Sequence, residues 1–145
     1  MKTNIRILVL ILLGYVLFYT SCIDTTSQDP SGDARDKFVG EWNLLENPAL
    51  KSLKSQSYVL TIEKDEGNSS QVFLRNFGNS GSLDIYAVGI VTSGQIVVSS
   101  QNMSNNWIVE GSGKMTNVVN TAMSWDYSIT AGGDKVNYKA TGAKQ

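Results

Sequence analysis

The sequence predicts an all-β domain: an eight-stranded antiparallel up-and-down meander. Three observations predict it. From residue 38 to residue 140, apolar side chains recur at every second position in short runs, the period of a half-buried strand. The runs are separated by Gly, Asn, Asp and Ser clusters with turn chemistry, such as Asp65-Glu66-Gly67-Asn68 and Ala131-Gly132-Gly133-Asp134. Both prolines, Pro30 and Pro48, fall outside the predicted runs, so none of those ladders is interrupted.

In chain order, a basic start (Lys2, Arg6) leads into an almost wholly apolar run from Ile7 to Phe18, the pattern of a secretory signal peptide. No basic stop-transfer cluster follows, which disfavours a retained membrane span. Residues 22–34 then read as a polar, turn-rich tether that spaces the domain about 15–20 Å from whatever holds its start. Asp33 is available to cap a short helical turn over Ala34–Lys37. The barrel domain is assigned to residues 35–145.

The first strand places Phe38, Gly40, Trp42 and Leu44 on one face. The second alternates Tyr58, Leu60 and Ile62 against polar neighbours. Residues 71–77, 82–91 and 95–101 are rich in β-branched residues, and the inward phase of the first of these stays open between Val72/Leu74 and Phe73/Phe77. Trp107, Val109, Gly111, Gly113 and Met115 form the sixth face. Met123, Trp125, Tyr127 and Ile129 form the seventh, and Val136, Tyr138 and Ala140 the eighth. A possible turn over Ala49–Lys54 is the one further helical feature. Eight antiparallel strands leave two open edges unless the sheet closes, so a barrel is expected, with a two-sheet β-sandwich as the alternative. Gly89, Gly111 and Gly113 suit the sharp bends of a small barrel.

Composition narrows the function. The 145 residues carry 12 basic and 13 acidic side chains, one cysteine and no histidine. No histidine means no Ser-His or Cys-His pair and none of the commonest zinc ligand. One cysteine excludes an intrachain disulfide framework. A near-neutral charge lacks the basic stripe of a nucleic-acid binder. Glu41, Glu63, Glu110 and Asp126 fall on outward faces, which does not supply the paired carboxylates of a glycosidase. The expectation is a non-enzyme without cofactor or metal.

Tyr19-Thr20-Ser21-Cys22 directly follows the apolar run. It resembles the lipobox of bacterial lipoproteins, which implies residues 1–21 as a lipoprotein signal peptide and Cys22 as the lipidated N-terminus. Removing residues 1–21 takes Lys2 and Arg6 with it and leaves a mildly acidic chain, so the lipid alone must hold the bilayer. Asp24-Thr25-Thr26 resembles an O-glycosylation motif of Bacteroidetes, beside its plain reading as solvated linker. Gly40-Glu41-Trp42, set on a first strand after a helical turn, resembles the Gly-x-Trp signature of lipocalins and related calycins. There the tryptophan lies across the closed barrel end under a basic side chain from a late strand. No arginine follows Arg75, so a lysine such as Lys139 would have to serve. The wider pattern, Asp33 to Trp42 with the meander behind it, is similar to small lipocalin-like lipoproteins of Bacteroidetes, placed in the cell envelope on the outer membrane.

Trp42, Tyr58, Trp107, Trp125, Tyr127 and Tyr138 fall on inward faces and either line a pocket or fill the core. Polar loops at 67–70, 76–82 and 101–106 offer a further surface for a glycan or a protein partner. The resulting expectation is a membrane-anchored binding module for a small hydrophobic or glycan ligand. The alternative is a structural lipoprotein with a filled core that engages a protein partner.

Overall fold

The computed structural model describes residues 32–49, 53–92, 94–103 and 106–145. The signal peptide, Cys22, nearly all of the tether and the centre of the 49–54 turn lie outside the described residues. The strands are β1 (Gly40–Pro48), β2 (Gln56–Lys64), β3 (Gln71–Arg75), β4 (Tyr86–Thr92), β5 (Gln95–Asn102), β6 (Ile108–Met115), β7 (Ala122–Ala131) and β8 (Asp134–Lys144). Each pairs antiparallel with the next, and β8 pairs back onto β1 from Trp42↔Lys144 to Pro48↔Tyr138, so the sheet closes into a barrel. Closure, not a two-sheet sandwich, removes both edges.

Alternation decides which side chains fill the interior. Leu60 and Ile62 of β2, Ile96 and Val98 of β5, and Met123 and Trp125 of β7 are buried. In β3 the inward pair is Val72 and Leu74, and Phe73 stays outside against Tyr86 in an edge-to-face contact. Phe77 is nevertheless fully buried. Asn76 turns into the left-handed region at φ 60° and ends the strand, which resets the phase before Phe77. That turn is tight. Asn76 Oδ1 accepts from the Gly81 amide at 2.9 Å, and Gly78, at φ 65°, has no space for a Cβ, which would meet Ile129 at 2.6 Å.

Several predicted boundaries move. The 82–91 strand begins only at Tyr86, because Ser82 caps a turn through Asp84. Trp107 lies one residue before β6. β8 runs four residues past Ala140, to Lys144. The strand glycines do more than bend the sheet. A Cβ on Gly113 would meet the Trp125 ring at 2.4 Å, so the missing side chain is the space Trp125 occupies.

One seam is thin. β4 and β5 share only Ile90↔Val97, Val91↔Ile96 and Thr92↔Gln95, and β5 bulges between Val98 and Gln101. Past the bulge, the Gln101 amide takes over the ladder: its Oε1 accepts from Val88 N at 2.8 Å and its Nε2 donates to Val88 O at 2.7 Å.

Candidate functional site

The register sorts the barrel into a closed and an open end. β1 begins at the closed end, where Trp42 is fully buried and donates from Nε1 to the Phe38 carbonyl at 2.7 Å. The basic side chain over its ring is Lys144, 5.4 Å from the centroid, and not Lys139, which sits outward on Asp126 at 2.6 Å. Lys144 shares the phase of Ala140 and Gly142, and the added length of β8 carries it to the floor. Outside the floor, Arg35 clasps the incoming chain. Its Nη1 donates to the carbonyls of Asp65, Asn68 and Gln71, while Nε and Nη2 fork onto Asp33 at 3.0 and 2.9 Å. Lys64 pairs with Asp33 at 2.9 Å and also reaches Asp36. Arg35, followed by Lys64, holds the Asp33 carboxyl well below the usual carboxylate range.

Above the floor the core is solid. Phe77 packs edge-on against Trp125 at 5.2 Å and against Tyr127 at 4.8 Å, and Tyr127 stacks on Tyr138 at 5.3 Å and 18°. Trp125 Nε1 donates to the Met123 sulfur.

Toward the open end one residue breaks the apolar pattern. Glu46 follows Trp42 and Leu44 in the inward phase of β1 and is only 6% exposed. Tyr127 donates its hydroxyl to Glu46 Oε2, and Tyr58 and Tyr127 hydroxyls lie 3.3 Å apart. Tyr127 has spent its single proton on Glu46, so Tyr58 is the donor in that second bond. The chain of bonds runs Tyr58 to Tyr127 to Glu46. Burial pushes the Glu46 carboxyl above its ordinary value, opposed by the Tyr127 bond. Burial pushes the Tyr58 and Tyr127 phenols up as well, so both stay protonated at neutral pH.

Two recesses adjoin this group. One, of about 320 Å³, sits at the barrel mouth between Glu46, Pro48, Leu53, Trp107, Ile129 and Tyr138, with Lys54 and Asp134 also lining it. The other, of about 810 Å³, runs along the β5–β8 wall. It is lined by Val98, Gly111, Tyr127 and Tyr138 from inward positions and by Glu110, Asp126, Ser128 and Lys139 from outward ones. Ser128 is buried despite its outward phase.

The six aromatic residues singled out in the sequence therefore divide. Trp42 fills the floor and Trp125 the core above it, and neither lines a recess. Tyr127 and Tyr138 line the larger one, Trp107 and Tyr138 the smaller, and Tyr58 reaches the site through its hydroxyl bond to Tyr127. The polar loops divide too: 76–82 and the described residues of 101–106 border the mouth, while 67–70 belongs to the closed end. Glu46 is the residue that reading by composition passes over. Its signal is phase alone, two positions beyond Leu44.

Comparison with known proteins bears on the fold. No protein-family model matches the chain, and no curated protein does. Among solved structures it is similar to a redesigned beta barrel, with a TM-score of 0.55, 12% identity, and coverage of 78% of this chain and 96% of that one. It is also similar to EF1p2_mFAP2b bound to DFHBI, at TM-score 0.52, 12% identity, and 78% and 98% coverage. A redesigned beta barrel, mFAP1, bound to DFHBI, matches at 0.52, with 10% identity and 77% and 99% coverage. These likenesses establish the barrel architecture.

Proposed function

We propose that the chain is a non-catalytic, lipocalin-like binding module of the cell envelope. It is held at the outer membrane of a Bacteroidetes-type bacterium by a lipid on Cys22, and it takes a small hydrophobic or glycan ligand at its open end. The observation that carries the binding part is the contrast along the barrel axis: side chains fill the floor, yet recesses of about 320 and 810 Å³ open beside Trp107, Tyr127 and Tyr138. A chain under selection for packing alone has no use for a bonded carboxylate and two phenols there, since burying polar groups costs stability. Designed barrels of similar architecture bind DFHBI, a precedent for a ligand in such a barrel.

The test is a titration of the purified chain with an apolar naphthalene dye and with a glycan panel. Saturable binding that weakens in Tyr138→Ala supports the reading. No saturable binding of either class removes it. The anchor is tested separately: Cys22→Ala moves the protein from the membrane fraction to the soluble one, and a variant that stays membrane-bound overturns the lipid assignment. The alternative, a structural lipoprotein that engages a protein partner, draws on the β6–β7 turn, where Val118 is 96% and Val119 68% exposed. It gains if replacing both valines with serine abolishes a pull-down while ligand titrations stay flat.

A further inference from the structure

We propose that the recess at the barrel mouth takes a small organic ammonium ion, its cation on the Glu46 carboxylate and its carbon body against Trp107 and Tyr138. The inference deepens the binding-module reading and rests on it. Three observations carry it. Glu46 is buried, yet Tyr127 supplies its one hydrogen bond among the described residues, to Oε2. No described lysine or arginine lies within ion-pair distance of it, whereas the half-exposed Asp33, Asp36 and Glu63 all hold a cation. And the carboxylate lines a recess of about 320 Å³ that two aromatic side chains share.

Glu46 Oε2 is taken by Tyr127, while Oε1 is not sealed in the wall and stays open to the recess. There a cation binds more strongly than a neutral donor, because charge-assisted hydrogen bonds are the stronger ones. Aromatic faces beside the carboxylate add attraction for a positive charge. The volume corresponds to about ten waters, which suits an amine with one ring or a short chain.

The groups that face Glu46 are Tyr58 from β2, Tyr127 from β7 and Tyr138 from β8, with Lys54 and Asp134 at the rim. The phenols do not titrate near neutral pH, so the carboxyl is the group whose proton a bound ammonium must displace. Amine binding therefore tightens as pH rises through the carboxyl's range, releasing a proton only inside that range, then levels off above it.

Calorimetric titration with phenethylamine and with its neutral analogue 2-phenylethanol, in two buffers of different ionisation enthalpy, tests this. Across a pH series the amine is expected to tighten and then plateau as pH rises, and the alcohol to bind at least about tenfold more weakly than the amine on the plateau. Glu46→Gln is expected to weaken the amine by a similar factor and to remove its advantage over the alcohol, its fold checked by the thermal melt. The amine-over-alcohol preference and its pH trend in the unaltered chain need no variant. Equal binding of amine and alcohol overturns ammonium recognition while leaving the binding module standing. So does amine binding that tightens as pH falls. No binding of either overturns it too, and the naphthalene-dye titration then decides whether the broader reading falls with it.

Discussion

The two ends of this barrel treat charge in opposite ways. At the closed end Asp33, Asp36, Arg35 and Lys64 form a paired cluster outside the wall, and the floor beneath is Trp42, Phe38 and aliphatic side chains. At the open end a carboxylate turns inward, bonded to a phenol and to no described cation. The difference separates two physical tasks. Paired charges over an apolar floor fix where the chain enters and stop the barrel from fraying. An unpaired carboxylate beside a recess weakens the barrel and gives it something to offer a ligand. Stability and recognition are divided along one axis.

The largest way to break the comparison is Trp42→Ala. It should cost about 3–5 kcal/mol in urea denaturation and leave ligand titrations at the mouth unchanged for the folded fraction. A loss of binding without a loss of stability would mean the floor is not the structural end.

The next effects are opposite pH responses. Folding holds the Glu46 proton more tightly than the unfolded chain, whose carboxyl keeps a value near 4.5. Its contribution to stability is thus greatest at low pH and falls as pH rises from about that value through the folded-state range. Asp33 has the reverse sign. Its folded value lies below the unfolded 3.8, so its contribution is present above 3.8 and is lost as pH falls below it. In melts across pH, Glu46→Gln should flatten the decline on the neutral side, and Asp33→Asn the decline on the acid side. Interchanged effects would erase the distinction between the ends.

Two lysines sharpen it further. Lys144→Ala should cost about 0.5–1 kcal/mol, because its ammonium lies over the Trp42 ring. Lys139→Ala should cost no more than about 0.5 kcal/mol, since its pair with Asp126 is exposed. Urea midpoints of the two variants check the order, and a larger effect at Lys139 would restore it as the floor's partner.

The eight strands were legible because period-two alternation survives through most of their length, broken at the β5 bulge and at the buried Ser128 of β7, and the barrel was legible because open edges are costly. What escaped did so for local reasons. Phe77 is buried out of step with Phe73 because Asn76 adopts a left-handed backbone, and counting by twos assumes a backbone that never turns. Lys144 was hidden by ending the last strand at Ala140. The pattern continues through Gly142, whose missing side chain makes room for Leu44 and Met123, but a small residue leaves no hydrophobic mark. Glu46 stood in the inward phase all along. The first inward face was followed only as far as Leu44, because a carboxylate leaves no hydrophobic mark two positions further on. Of the six aromatics, the sequence placed all on inward faces but could not rank them by depth, because depth depends on register between strands far apart in sequence.

The Arg35 clasp also has a mechanical consequence. Tension arriving through the segment before Gly32 meets Asp33 and Arg35 first, then runs along β1. That strand is held by seven register pairs to β2 on one flank and seven to β8 on the other. Pull parallel to a strand loads these bonds in shear, together, instead of peeling them one at a time. β1 has nine residues at about 3.3 Å each and a tilt of about 35–45°, which sets the mouth on the order of 20 Å from the start of that strand. The described chain thus enters at the floor, and its opening lies at the far end of the barrel.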